Sequence, residues 1–249
     1  MLKRFITVVL IFSALLTAEA QQLELMFAAG FASSSMYDLK DLNSQVKNNL
    51  PFQTDVVSNF PVTPQYGGIV AVHFGNVYKL GMLYAFNSTG SRLAAADYSG
   101  SYRFDDIVTS HSIGLMNGFT VFDKKGFGLD LEITLGEVFT TVKISEDFNM
   151  GDISESTSEK FTSRGFFIEP RIEANYQWKL LKAGVYLGCY FNPGAKLANS
   201  SAQKASTTTN WSGIRFGLLI GIQTGKKKKP TSSKRLDEST AMMNIQPSP

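Results

Sequence analysis

Seven charged residues are the part of this sequence whose types and spacing could support chemistry. They occur at alternate positions within otherwise apolar segments: Glu24, Asp130, Glu132, Glu169, Arg171, Glu173 and Arg215. Alternate residues of a β-strand share one face, so these side chains are predicted to lie together on an inner face. Buried acids and arginines pair, because an isolated buried charge is strongly unfavourable. The pattern therefore favours a structural charge network over the alternative, a functional pathway.

The two histidines do not indicate a catalytic or metal site. His111 is flanked by Ser110 and Ser112, but neighbours on a strand point to opposite faces, so neither hydroxyl reaches the imidazole easily. His73 has no evident nucleophile beside it. Zinc binding requires three or four convergent ligands. We therefore expect no catalytic residues, no metal ligands, no cofactor and no enzyme activity.

The segments that carry the charged residues alternate between apolar and polar side chains. From Phe127 to Leu135 every second residue is Phe, Leu or Ile, and the residues between them are Gly, Asp, Glu or Thr. The same period recurs at 166–178 and 213–223. It predicts eight strands, at about 22–31, 66–75, 79–88, 110–122, 126–142, 164–178, 182–192 and 211–224. An even number of strands brings both ends of a barrel to one side.

The connections between these strands fall into two classes. Short turns are predicted at 76–78, 123–125 and 179–181, whereas the first long connection covers 32–65 and the others roughly 15 to 22 residues each. Short turns on one side and long external loops on the other are typical of an all-β, antiparallel, up-and-down transmembrane β-barrel. Matching outward residues across the turns aligns Phe119 with Leu129 and Val72 with Met82.

The polarity of the two faces indicates which one is inside. A soluble exterior would be rich in Lys and Glu, yet the polar faces are mostly Gly, Thr, Asn and Ser, and 126–142 contains no Lys or Arg. Four aromatic residues lie near strand ends, as interfacial girdles require: Phe166, Tyr176, Trp178 and Trp211. We therefore predict a polar lumen and a lipid-facing apolar surface, with a soluble lipocalin-like barrel as the structural alternative.

The two ends of the chain differ from the middle. Lys3 and Arg4 precede a mostly apolar run at 5–16, and Ala18 and Ala20 supply the small residues of a cleavage site, so 1–20 is predicted to be a signal peptide. Residues 226–249 contain six basic and two acidic residues and are predicted to be a basic, disordered periplasmic tail after a barrel at 21–225. The charge lies mostly in this tail, so no nucleic-acid partner is expected.

Two external connections carry patterns of their own. Met36, Leu39, Leu42, Val46 and Leu50 are spaced by three and four residues, which predicts an amphipathic helix that Pro51 ends. This helix could cap the external mouth, present a binding surface or simply order its loop. The connection after the fifth strand is acidic, with Glu146, Asp147, Asp152, Glu155 and Glu159. It could recruit divalent cations, and solvation explains it equally well.

The last predicted strand resembles the terminal assembly signal of outer-membrane barrels. From Arg215 to Ile222 a polar residue and Gly217 are followed by bulky apolar residues at alternate positions. The region 21–225 is similar to the OmpA/OmpX-like class, which includes porin-family and outer-membrane β-barrel-domain proteins of the Gram-negative cell envelope. The resemblance implies an outer-membrane location with both termini in the periplasm. It also implies three kinds of partner: outer-membrane lipids, the barrel-assembly machinery and an extracellular ligand whose identity is unknown.

The sequence thus predicts a non-enzymatic outer-membrane β-barrel whose surface loops serve binding, adhesion or envelope integrity. Loop length and the absence of catalytic geometry in the pattern support this hypothesis. The first alternative is a narrow porin-like channel for ions or small solutes. The second is the soluble lipocalin-like binding barrel.

Overall fold

A computed structural model describes residues 22–199 and 204–224 of the chain. The predicted signal peptide (1–20) and basic tail (226–249) lie outside the described residues. The described part contains these elements: β1 (Gln22–Ala32), α1 (Tyr37–Asn49), β2 (Asp55–Asn59), β3 (Thr63–Phe74), β4 (Tyr78–Ala96), β5 (Gly100–Lys124), β6 (Phe127–Met150), β7 (Ile153–Trp178), β8 (Leu181–Tyr190), β9 (Ala195–Ala198), β10 (Lys204–Thr209) and β11 (Gly213–Gln223).

Eight of the strands close into a ring. Its order is β7, β6, β5, β4, β3, β1, β11 and β8, and β8 pairs back onto β7. Every neighbouring pair is antiparallel, and β1 pairs with β11 from Glu24 to Ala32. Closure of this kind removes the unpaired edges of a sheet. The predicted eight-stranded, antiparallel, up-and-down barrel is therefore confirmed.

The two faces of the ring differ as predicted, with charges inside and apolar side chains outside. Glu24 and Glu173 are fully buried, whereas Leu131 on β6 is 44% exposed and Leu218 on β11 is 65% exposed. We call the outward surface the apolar belt. It runs from the short-turn end, with Tyr78, Phe119, Phe127, Tyr176 and Trp178, to the opposite hairpin end, with Tyr84, His111, Phe139, Phe166 and Phe216.

A lipocalin-like barrel has the reverse polarity, with an apolar interior. The charged interior and the continuous apolar exterior of this ring exclude that alternative as a description of the fold. No helix in the described part of the chain is long and apolar enough to cross a membrane.

Four strands continue well beyond the belt, where the sequence predicted loops. Residues 89–96, 100–109, 143–150 and 153–163 are paired strands, joined by tight turns at 97–99 and 151–152. The loop prediction was wrong because the outward face is mostly polar here, while apolar residues such as Tyr102 and Phe104 lie on the inner face. The apolar-outward alternation that marks the strands of the belt is therefore absent. Cross-strand contacts hold the extension instead, as where Arg103 Nη2 lies 2.5 Å from Asp147 Oδ2.

The predicted strand register was wrong by two residues at both tested turns. Phe119 pairs with Leu131 rather than Leu129, because Lys125 and Gly126 form a tight turn with positive φ values of 53° and 89°. The register also shifts between Thr120 and Phe122. At the preceding turn, which spans 75–77, Val72 pairs with Leu80 rather than Met82. A shift of two residues leaves each side chain on the same face, so the prediction of facing is unaffected.

The predicted amphipathic helix is present as α1, and it closes the barrel at the hairpin end. Met36 and Leu39 are fully buried against the inward residues Val108, Val142 and Phe167 of three different strands. Leu42, Val46 and Leu50 are partly buried on the same apolar stripe. The Asp38 carboxylate accepts hydrogen bonds from the Thr208 amide at 2.8 Å and hydroxyl at 2.7 Å, which ties the helix to β10. Of the three predicted roles, the packing fits a cap.

Trp211 corrects one prediction. It was expected in an outward aromatic girdle, but it is 1% exposed and belongs to the core beneath α1. Its indole Nε1 donates to Thr140 Oγ1 at 2.9 Å. Trp211 precedes the regular pairing of β11, which begins at Gly213, so nearness to a strand end did not determine the direction of its side chain.

Candidate functional site

The centre of the lumen is an ion cluster built around Lys79. Its Nζ lies 3.3 Å from Asp130 Oδ2, 3.5 Å from Glu173 Oε2 and 3.7 Å from Glu24 Oε1, and it also contacts Glu132 Oε1. The lysine side chain is 0% exposed. An ammonium group with several carboxylates around it offsets part of the cost of burying them all.

A second lysine completes the cluster at the short-turn end. Lys182 Nζ lies 2.8 Å from a carboxylate oxygen of Glu24 and 2.8 Å from one of Glu173. His73 Nε2 is 2.9 Å from Glu24 Oε2, so this histidine belongs to the same network. Asp130 also accepts from the Thr120 hydroxyl at 2.7 Å. The buried carboxylates of this cluster therefore accept hydrogen bonds from both charged and neutral donor groups.

Two arginines extend the network toward the hairpin end. Arg171 bonds to Glu132, and its guanidinium carbon lies 5.2 Å from the centre of the Tyr186 ring. Arg215 Nη1 is 3.3 Å from Glu169 Oε2, and its guanidinium lies over the Tyr190 ring. Planar guanidinium groups pair with carboxylates and stack on aromatic faces at the same time. Each arginine is thus fixed on two sides.

The structure brings all seven residues of the predicted charge set into this one lumen. Lys79 and Lys182 supply the central positive charges, and neither was predicted from the sequence. The alternation of the strand could have revealed the inward direction of Lys79. It shares a face with Gly81 and Leu83, and all three are buried. With both lysines, the described network holds five carboxylates and four permanent cations: Glu24, Asp130, Glu132, Glu169 and Glu173 with Lys79, Lys182, Arg171 and Arg215.

Carboxylates of Asp130, Glu132 and Glu173 approach within 4.8 Å of one another, which by spacing alone could suit a metal ion. The Lys79 ammonium group already contacts all three. Among the described residues on the short-turn side, a polar cavity has a volume of about 30 Å³, room for about two water molecules. This section of the lumen is therefore filled by paired side chains.

The interior under α1 contains one acid of a different kind. Asp106 is 0% exposed and lies beside Asn43 of the helix. It pairs in register with Ser91 and Ile144, beyond the apolar belt at the hairpin end. Burial raises the pKa of Asp106 to about 7, and the Asp105 charge adds to the effect. A neutral carboxyl is therefore the favoured form beneath the cap in acidic solution.

The remaining predicted aromatics face outward. Phe166, Tyr176 and Trp178 are 55%, 43% and 60% exposed, the first at the hairpin end of the belt and the others at the short-turn end. His111 also faces outward, and its Nδ1 is 2.9 Å from the Tyr84 hydroxyl. Ser110 and Ser112 both face inward and are buried, so the serines on either side of His111 do not form a dyad with it.

The long hairpins form a groove at their tips. It consists of two adjoining cavities of about 490 Å³ and 290 Å³ that share Phe52, Tyr102 and Phe148. We call it the tip groove. Its other side chains include the acids Asp55, Asp97, Glu146 and Glu155 and the polar residues Gln53, Ser99, Ser101, Asn149 and Thr157. The acidic residues that the sequence placed in a loop are thus divided between this groove and other faces of the hairpin.

Comparison with known proteins gives distant likenesses only. No known family model matches the chain, and no curated protein matches it. Among solved structures, the attachment invasion locus protein Ail of Yersinia pestis is 10% identical with a TM-score of 0.39, over 82% of this chain and 99% of that one. OprG of Pseudomonas aeruginosa is 10% identical with a TM-score of 0.42, over 84% and 98%. The outer membrane protease OmpT of Escherichia coli is 9% identical with a TM-score of 0.26, over 84% and 98%.

OprG and OmpT are outer-membrane proteins by name. At TM-scores below 0.5 they assign no function to this chain, and a shared fold does not fix an activity in any case. The closed eight-stranded ring and its outward apolar belt are what establish the architecture.

Proposed function

We propose that the protein is a non-enzymatic outer-membrane barrel whose extracellular hairpins present a binding surface, with adhesion or envelope integrity as the biological setting. The observation that carries this proposal is the filled lumen. Paired charges occupy its short-turn half and α1 with its apolar core occupies the hairpin half. The strands nevertheless continue past the belt for eight to eleven residues, which is far more than closure of the barrel requires.

The apolar belt supports a membrane location. Exposed Leu, Ile and Val side chains surround the ring, and aromatic residues lie at both edges, as lipid and headgroup contacts require. The first and last barrel strands end together at the short-turn end, where Gln22 and Gln223 are hydrogen-bonded. Short turns of such barrels face the periplasm. Both termini, and with them the predicted tail at 226–249, would therefore be periplasmic.

The alternative of a narrow channel for ions or small solutes is less well supported. An eight-stranded barrel is only wide enough for its own side chains to fill, and Lys79, Arg171 and Arg215 do so here. An enzyme would require a nucleophile, a base and an orienting group within hydrogen-bond reach. In the described ranges His73 contacts Glu24, and His111 contacts Tyr84, which does not assemble that set.

Localisation and topology test this proposal. We expect the full-length protein to fractionate with the outer membrane and to migrate faster in gels when it is not heated. Protease added to intact cells should cleave the 97–99 and 151–152 turns, whereas an epitope at the C-terminus should be reached only after the outer membrane is permeabilised. Recovery as a soluble periplasmic protein, or an epitope accessible on intact cells, would contradict the proposed location or orientation.

A further inference from the structure

The floor of the tip groove is aromatic and belongs to the folded hairpins. Tyr102 is 4% exposed, and Phe52 packs edge-on against it with ring centroids 5.4 Å apart. Phe148 on β6 belongs to the same floor and packs against the core formed by Leu93, Tyr102 and Phe104. These contacts fix the aromatic faces in place without a ligand.

The rim of the groove is acidic. Its four carboxylates come from four separate segments: Asp55 on β2, Asp97 in the β4–β5 turn, Glu146 on β6 and Glu155 on β7. Within the described ranges, no Lys or Arg lines either cavity. Arg103 is adjacent to Tyr102 on β5, so its side chain points to the opposite face of the hairpin. There it pairs with Asp147. The negative charge is therefore concentrated on the groove side.

The protonation states reinforce this asymmetry. Hydrogen bonds from the Ser99 hydroxyl and from the Ser99 and Gly100 amides lower the pKa of Asp97, so it stays ionised in moderately acidic solution. Burial and the nearby Glu146 carboxylate raise the pKa of Tyr102 above its usual range, which keeps its hydroxyl neutral. Both residues lie beyond the apolar belt.

We propose that the tip groove binds a cationic peptide segment, in which lysine or arginine side chains alternate with apolar ones. Carboxylates on the rim would pair with the ammonium or guanidinium groups. The aromatic floor would accept the apolar side chains and the faces of the cations. This inference rests on the proposed function, because it requires the hairpin end to be extracellular, and it specifies the ligand class for that surface.

The shape and chemistry favour this occupant over a metal ion. Pockets of about 300–1,000 Å³ suit small ligands, and the two adjoining cavities together are of this size. Divalent cations require several converging oxygen ligands, and within the described residues the rim carboxylates do not form such a group. Among the described residues, the three carboxylates that approach within 4.8 Å of one another are those of Asp130, Glu132 and Glu173. They lie in the lumen, not in the groove.

The test uses the full chain refolded into phosphatidylcholine nanodiscs and a fluorescein-labelled synthetic peptide of alternating lysine and phenylalanine. Fluorescence anisotropy, with empty nanodiscs subtracted, should show saturable binding. We expect Glu146→Gln to weaken it by about tenfold, as loss of one charge-assisted contact does. Binding should also weaken as salt increases, because exposed charges are screened. A peptide with glutamate in place of lysine should not bind.

Two matched controls separate the groove from general electrostatics. Asp152→Asn removes one exposed carboxylate from the same hairpin outside the groove, and it should change the affinity by less than about twofold, since screened surface charges contribute little. Phe52→Ala should weaken binding, whereas Tyr98→Ala, which truncates a fully exposed ring on the neighbouring turn, should not. Each variant is first checked for heat-modifiable migration, so that a folding defect is recognised.

Three results would overturn the proposal. The first is equal weakening by Glu146→Gln and Asp152→Asn, and the second is equal binding of the acidic peptide. The third is displacement of the basic peptide by calcium chloride when sodium chloride at the same ionic strength leaves the peptide bound. Hairpins that are cleaved on intact cells, in a protein that binds no basic peptide, would overturn this inference alone. Hairpins that are inaccessible on intact cells would overturn the proposed function together with it.

Discussion

Lys79→Met is expected to be the most damaging single substitution in the lumen. Methionine has a similar length and no charge, so the change removes the cation that contacts Glu24, Asp130, Glu132 and Glu173. Removing one partner of a buried ion pair costs about 3–5 kcal/mol, because the other charge stays buried and uncompensated. We expect a lower urea midpoint in detergent micelles and a reduced yield of the compact, heat-modifiable form.

The control for this prediction is Lys124→Met, which removes an exposed lysine at the end of β5. It should leave the urea midpoint close to that of the wild type, because exposed charges contribute little. Combining Lys79→Met with Glu132→Gln removes a carboxylate together with the lysine. If Lys79 acts through its charge, the double variant should be more stable than the sum of the single effects predicts. A Lys79→Met protein as stable as the wild type would refute the network as described.

Leu131→Arg is expected to have the next largest effect, through the lipid-facing surface. Leu131 lies within the apolar belt, between Phe127 at its short-turn end and Phe139 at its hairpin end on the same strand. It is paired with Phe119 on β5 and Ile172 on β7, and is 44% exposed. An arginine at the bilayer midplane of a barrel costs about 2–4 kcal/mol. Unfolding by urea in phospholipid vesicles should show a loss of this size, and less protein should reach the folded form in cells.

Ser145→Arg is the matched control on the same strand. Ser145 has the same outward parity as Leu131 but lies beyond the belt, where it pairs with Asp105 on β5. An arginine there meets water beside a carboxylate that Arg92 and Arg103 already contact. Exposed charge contacts of this kind contribute little, so the free energy of unfolding should change by less than about 1 kcal/mol. Equal damage at both positions, or none at Leu131, would mean that the belt does not face lipid.

The facing of the barrel strands could be predicted from the sequence because it depends on a period of two residues. Phe127 to Leu135 alternate clearly, and the inward Asp130 and Glu132 follow from the same pattern. Facing is insensitive to an error of two residues in the register. Register itself depends on turn conformation, and the positive φ values of Lys125 and Gly126 were not evident from the residues alone.

Other features could not be predicted because their signals were weak or misleading. Lys79 and Lys182 lie beside short turns, where lysine is expected on the surface, and only their parity marked them as inward. The extended hairpins lack the apolar outward face of the belt, so the sequence indicated loops where cross-strand pairs such as Arg103 and Asp147 hold paired strands. The tip groove depends on this extension and on the return of the chain at Phe52, and neither could be derived from local patterns.

We infer that the lumen is closed and that the protein acts through its external surface. Single-channel recording of the purified, refolded protein in planar lipid bilayers tests it most directly. We expect the protein to insert, as verified by protease protection of the barrel, and to show little or no steady conductance. The reason is that the paired charges around Lys79 and the α1 cap fill the interior. Reproducible, discrete steps of conductance from the wild-type protein would show that the lumen is open and would establish the narrow channel instead.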